Sequence, residues 1–237
     1  MFYNEFTSRF FMMLNREEQE NLQNARVLVF GVGGVGGSVV HMLARSGIKH
    51  FCIVDFDTIS TSNINRQLVA NSTNVSKSKV DELECQLRQI NPEIIIDKFN
   101  LKIDENTLKE IDFYNYNYII DCIDDIPAKK LIIKKAYKSN IPILCAMGAG
   151  NRYQDIPNFE ISSIEKTSYD PIAKILRKFC LQEGIKNLQV CYTKQKALKF
   201  DCKTIGSVVY YTMSMASVIC AKAINDIIGG KIWMIMD

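Results

Sequence analysis

The sequence predicts an α/β fold: a Rossmann-like, doubly wound, mostly parallel sheet with a C-terminal α+β extension. Three observations carry that expectation. Apolar, β-rich runs alternate with helical periodicities over residues 26–150, joined by short connections, as strands do when their crossovers are helices. The first run, Arg26–Phe30, feeds directly into Gly31-Val32-Gly33-Gly34-Val35-Gly36. Such a strand-to-helix turn brings backbone N–H groups and a helix N-terminus up to a phosphate. Past Gly150 the register changes to shorter, alternating segments.

Strands are expected at 26–30, 50–55, 93–99, 116–121 and 141–146. Between them a helix over Gly36–Arg45 places Val39, Val40, Leu43 and Ala44 on its apolar face. A second helix, 78–90, repeats Val80, Leu83, Leu87 and Ile90 at helical spacing, and Asn91-Pro92 stops it. A short helix should follow Asp104, and another should cover 128–139. In the extension, residues 159–164 alternate like a half-exposed strand, and Asp170-Pro171 opens a helix through Leu181. A strand is expected at 188–192, then a long helix over 207–228 stopped by Gly229-Gly230. Its stretch 205–221 is nearly uncharged, but its Ser and Thr residues, followed by Lys222 and Asp226, favour a buried or dimer-interface helix over a membrane span. One domain is expected over 1–237: a helical arm (1–25), a nucleotide-binding core (26–150) and a substrate and dimer extension (151–237).

Composition narrows the class. Of the 237 residues, 47% are hydrophobic and 23% charged, ordinary for a globular protein outside the membrane. Met1-Phe2-Tyr3-Asn4-Glu5 has no basic stretch leading into an apolar one, so no secretory signal is expected and the cytoplasm is the expected compartment. Eight cysteines (52, 85, 122, 145, 180, 191, 202 and 220) form no C-x-x-C pair. They read as buried free thiols in a reducing compartment, which argues against a structural zinc. The net charge of +3 is uneven: from Lys166 to Lys203 nine Lys/Arg face three acids, giving +6 and leaving −3 elsewhere. That segment is either a solvated face or a footprint for a polyanion such as RNA.

The residues that could carry chemistry come in chain order. Asp55 lies 19 residues past Gly36, where a carboxylate can accept hydrogen bonds from ribose hydroxyls. To that point a nicotinamide or flavin enzyme, or a nucleotide-sensing module, fits equally. Asn63-Ile64-Asn65-Arg66-Gln67 tilts the reading towards ATP. When a carboxylate attacks the α-phosphorus, pyrophosphate leaves with added negative charge, so cations and a metal-holding acid are needed there. Arg66 offers a planar fork of donors, with Asn63, Asn65 and Gln67 as neutral donors beside it. Lys79 starts a helix facing the same crevice. Asp121-Cys122-Ile123-Asp124-Asp125 closes the fourth strand, which makes Asp124 a Mg²⁺ ligand and Asp125 its neighbour at the nucleotide.

With these motifs in place the chain resembles the E1-like adenylating superfamily, which includes the ThiF and MoeB activators of ubiquitin-like sulfur carriers. Gly31-x-Gly33-Gly34-x-Gly36, Asp55-x-Asp57, Ser62-Asn63-x-Asn65-Arg66-Gln67, Lys79 and Asp121-x-x-Asp124 stand as that superfamily has them. The resemblance implies ATP-binding roles for these residues, Mg²⁺ near Asp124, and a homodimer in which Arg9, within Ser8-Arg9-Phe10, reaches the neighbouring subunit's ATP. It is strongest towards the tRNA threonylcarbamoyladenosine dehydratases, through Met147-Gly148-Ala149-Gly150-Asn151, residues 159–161 and residues 165–174. That branch implies adenylation of a threonyl carboxylate on a modified adenosine near the tRNA anticodon, then ring closure with loss of AMP. Residues 193–205 are shorter than in typical dehydratases, which bears on the RNA substrate rather than on ATP. The alternative is an activator of a ubiquitin-like carrier protein in a sulfur relay, with Cys202, beside Lys199 and Lys203, as its thiolate.

Overall fold

The computed structural model describes residues 2–201 and 204–229. Its seven strands form one sheet, in the order β3-β2-β1-β4-β5-β7-β6: β1 Arg26–Phe30, β2 His50–Val54, β3 Ile95–Phe99, β4 Tyr118–Asp121, β5 Ile143–Ala146, β6 Glu160–Ser163 and β7 Gln189–Tyr192. All pairings are parallel except β6 with β7. The chain winds outward from β1 to β3, then returns to the other side of β1 with β4. The sheet therefore reverses its order between β1 and β4, and ligands bind at the carboxyl ends of strands at such a point. There the register aligns Phe30 with both Val54 and Asp121.

The period-two rule separates two cores. Val27, Val29 and Ile53 face α3 (Gly36–Arg45), α4 (Lys79–Ile90) and the long α7 (Val209–Ile228). Leu28, Phe30, Cys52 and Ile119 face α5 (Ile126–Lys138) and two 3-10 turns, Thr107–Glu110 and Phe113–Asn115. A third cluster seats α6 (Pro171–Glu183) on β5 and β7 through Leu176, Cys180, Cys145 and Val190. The arm consists of α1 (Phe2–Phe11) and α2 (Arg16–Asn24), the latter opened by a capping box between Asn15 and Glu18.

The expected strands and all but one of the expected helices are present, with shifted ends. β3, β4 and β5 start two residues later than read, because Asn91-Pro92-Glu93, Tyr116 and Ile141 lie in the turns that deliver them. The helix read from 128 starts at Ile126, since the Asp125 carboxylate caps it by accepting the Ala128 N–H. The helix expected after Asp104 is only 3-10 turns, and the last helix begins at Val209 rather than 207. Gly229 ends it; Gly230 lies outside the described residues, as do Cys202 and Lys203. Seven described cysteines are free thiols, five of them buried. Among the described residues no helix is long and apolar enough to cross a membrane.

Candidate active site

The turn from β1 to α3 lies against three of the predicted motifs: Asp55, the Arg66-Gln67 pair and the loop that leads into Asp124. Gly31 adopts φ +79°, a left-handed backbone natural to glycine, and its N–H donates to Val54 O at 2.8 Å. A methyl group on Gly36 would stand 1.8 Å from Gly31 O, so the turn closes only on a hydrogen there. The next N–H, of Val32, donates to Asp55 Oδ2 at 2.8 Å. A methyl on Gly33 would meet Gln67 Nε2 at 3.6 Å, one on Gly34 the Arg66 carbonyl at 3.1 Å, and one on Gly31 the Ile123 side chain at 2.9 Å. Thus Asp55, Gln67, Arg66 and the loop before Asp124 converge on one backbone hub at the carboxyl edge.

Asp55 also accepts the Asp57 N–H on Oδ1 at 2.9 Å, and each oxygen keeps a lone pair for a ribose hydroxyl. Burial raises its pKa above the ordinary 3.8, against the lowering effect of the Lys79 ammonium. Lys79 is buried, and its Nζ donates to Asp57 Oδ2 at 2.6 Å. Ser78 caps its helix through the Asp81 N–H, which places the lysine in the first turn.

The Asn63–Gln67 segment follows the 3-10 turn Thr61–Asn63, which Asn63 Oδ1 closes by accepting the Ser60 N–H at 3.0 Å. Arg66 uses one terminal nitrogen on Ser62 O (2.6 Å) and Asn65 Oδ1 (3.0 Å). The rest of its fork has no partner among the described residues. Asn65 Nδ2 donates to Ser207 O at 2.9 Å, tying the motif to the chain entering α7. Gln67 is buried and its Oε1 lacks a donor, a costly omission unless a ligand supplies one.

Asp124 is exposed and has no protein partner among the described residues, where no group of three metal-binding side chains forms. A single free carboxylate on the loop beside the glycine turn is the kind of donor that Mg²⁺ takes, since that ion binds through one or two carboxylates and keeps several waters. Asp125 caps α5, its Oδ1 accepting the Ala128 N–H at 3.1 Å. Arg9 is exposed on α1, whose Tyr3 hydroxyl bonds Gly47 O just past the far end of α3. Tyr3 and Phe11, which flank Arg9 on α1, both lie at Gly47, and ten residues of helix separate the two ends of α3, about 15 Å, so Arg9 sits at the end of α3 away from its own chain's turn.

Two residues escaped the sequence reading. Lys129, fully buried, pairs with Asp121 Oδ2 at 2.8 Å and donates to Ile123 O at 3.0 Å, bracketing the loop before Asp124. Burial opposes its charge, but the Asp121 carboxylate prevails and holds its pKa up. Its place four residues after Asp125, on the apolar face of α5, was the available signal. Arg152, also buried, donates to Gly148 O and Gly150 O, both at 3.0 Å, and to Gln195 O at 2.9 Å. No local pattern marks it. Among the described cysteines, Cys122 lies against the turn, and burial pushes its thiol up to about 12, which keeps it protonated.

A glycine turn whose N–H is held by a strand-end carboxylate, at the switch point of a doubly wound sheet, marks an α/β fold of the nucleotide-binding kind. The chain belongs to the ThiF family, matched over residues 7–231. It is 37% identical over 192 residues to the tRNA threonylcarbamoyladenosine dehydratase of Bacillus subtilis, covering 81% of this chain and 75% of that protein. The Escherichia coli dehydratase is 30% identical over 201 residues, covering 84% and 73%. A molybdopterin-synthase adenylyltransferase of Haemophilus influenzae is 28% identical over 170 residues, covering 70% and 69%. Among solved structures, the E. coli dehydratase in complex with AMP superposes with a TM-score of 0.89 at 23% identity, covering 96% of this chain and 95% of that one, which supports the fold.

Proposed function

We infer that this chain is an ATP-dependent tRNA threonylcarbamoyladenosine dehydratase. The observation that carries the reading is the glycine turn's simultaneous contact with Asp55, Gln67, Arg66 and the Asp124 loop, in a chain 37% identical to a dehydratase over most of its length. In this reading Asp55 holds the ribose, and the N–H groups at the start of α3 face the phosphates. Arg66 and Lys79 lie on the charge that grows as the threonyl carboxylate attacks the α-phosphorus and pyrophosphate leaves. Mg²⁺ held by Asp124 would neutralise charge on the leaving phosphates. The carbamoyl nitrogen then attacks the acyl carbon, loses its proton and expels AMP. Attacker and acyl group share one nucleoside, so closure needs positioning rather than a protein nucleophile. The protonated state of Cys122 agrees with that.

The chain acts as one adenylating unit in the cytoplasm, with residues 1–25 as an arm, 26–150 holding nucleotide and 151–237 serving substrate and dimer contacts. Arg9, remote from its own turn, serves the site of a second copy. Asp125, whose Oδ1 caps α5, adjoins Asp124 at the nucleotide. The deciding experiment supplies ATP, Mg²⁺ and threonylcarbamoyladenosine-containing tRNA and follows the nucleoside by mass spectrometry. Loss of one water from it, with AMP formed, is expected. Pyrophosphate exchange stimulated by a diglycine-tailed protein, and not by tRNA, would instead identify a carrier-protein activator.

A further inference from the structure

Tyr169 combines features that ordinary packing does not explain. Its side chain belongs to a residue 64% exposed, and its backbone sits at φ +58°, a region that bulky residues rarely enter. The conformation is enforced from both sides. Asp170, buried, accepts the Ala173 N–H at 2.9 Å and the Gly148 N–H at 3.0 Å. Thr167 O accepts from the Arg177 guanidinium. The fold thus holds a large ring outward in a strained backbone, and strain of this kind persists mainly where it serves a site.

The place matters as much as the posture. Gly148 is two residues past the end of β5. β5 adjoins β4, which runs into Asp124, and β4 adjoins β1 with its glycine turn. Two strand spacings, about 10 Å, therefore separate the anchor of Tyr169 from the nucleotide side of the crevice. The Lys196 ammonium lies 5.1 Å from the Tyr169 ring centroid. Lys196 is itself well placed, because the preceding Gln195 is held by Arg152 Nε on its carbonyl, by the Asn158 N–H at 3.1 Å and by Ile156 O at 2.9 Å.

We propose that Tyr169 is a stacking platform for an unpaired nucleobase flanking the reacting adenosine, with Lys196 meeting that nucleotide's phosphate. The proposal rests on the dehydratase reading and adds a substrate contact to it. Single-stranded RNA is received in this way, by exposed aromatic faces beside cations. An exposed ring with a cation at one face leaves its other face for a base.

The test uses Tyr169→Asn, because asparagine tolerates the left-handed backbone, together with Tyr169→Phe and Lys196→Gln. With an anticodon stem-loop carrying the modified adenosine, Tyr169→Asn should raise KM for RNA on the order of tenfold, with AMP affinity as in wild type. Tyr169→Phe should restore KM. A 2-aminopurine beside the modified adenosine should be quenched on binding to wild type and not to Tyr169→Asn. Lys196→Gln should lower the salt slope of RNA binding by about one. Wild-type KM and quenching in Tyr169→Asn would overturn the proposal, as would a loss confined to binding of a diglycine-tailed protein. Failure of the wild-type protein to convert the RNA would instead remove the dehydratase reading, and the proposal with it.

Discussion

The Lys79 ammonium meets the Asp57 carboxylate at 2.6 Å, with the lysine side chain 5% exposed and the aspartate side chain 48% exposed. The buried cation thereby stands beside Asp55, whose two oxygens organise the glycine turn and the end of β2.

That arrangement predicts the pH dependence of nucleotide binding. Burial raises the Asp55 pKa, and Lys79 pulls it back down. Protonation on the acid side removes acceptors from the Val32 and Asp57 N–H groups, so AMP affinity should fall as pH drops through the folded pKa, above the usual carboxylate value. Lys79→Met should move this fall to higher pH, as calorimetric titration with AMP would reveal. Stability has the opposite sign. A raised carboxylate pKa contributes stability in full below the unfolded pKa, and the contribution is lost as pH rises through the folded one.

The glycines divide into two kinds. Gly36→Ala places a methyl 1.8 Å from Gly31 O, and should abolish AMP binding and lower the melting temperature. Gly33→Ala meets nothing closer than 3.6 Å. It should leave the melting temperature nearly unchanged while weakening AMP binding if phosphate sits against that glycine. Equal AMP affinity in Gly33→Ala and wild type would displace the phosphates from the turn.

Lys129→Met strands the Asp121 carboxylate in a fully buried site, which should cost about 3–5 kcal/mol of stability. Adding Asp121→Asn removes the stranded charge and should recover part of it. Denaturant midpoints of the three variants check this, and a double variant no better than Lys129→Met alone would contradict it.

Arg66→Ala and Asp124→Ala should each slow tRNA-dependent adenylation by on the order of 10²-fold without changing the melting temperature, since neither side chain is buried. Pyrophosphate exchange is the direct readout, and near-normal exchange in either variant would mean that the site lies elsewhere. Cys202→Ala should retain turnover, because ring closure needs no thiolate.

Much of this protein is written locally. The run Arg26–Phe30 leading into Gly31–Gly36 specifies strand, turn and helix, because periodicity and the steric freedom of glycine act over a few residues. The positions of Asp55 at the end of β2 and of Lys79 in the first turn of α4 were legible for the same reason: each sits at a fixed offset from an element end. Asp125 shows the limit of that logic. The sequence placed it beside Asp124 at the nucleotide, and the fold adds a second task that sequence position did not show: its Oδ1 accepts the Ala128 N–H and caps α5.

By itself the sequence determined the alternation of strands and helices and the glycine turn that joins β1 to α3, both consequences of spacing along the chain. Tertiary structure alone decided that Lys129 neutralises Asp121, that Arg152 braces the 148–150 loop against Gln195, and that Tyr169 stands exposed beside Lys196. Those contacts join segments that no local periodicity relates, so they exist only once sheet order has placed β5 beside β4 and β7 beside β5.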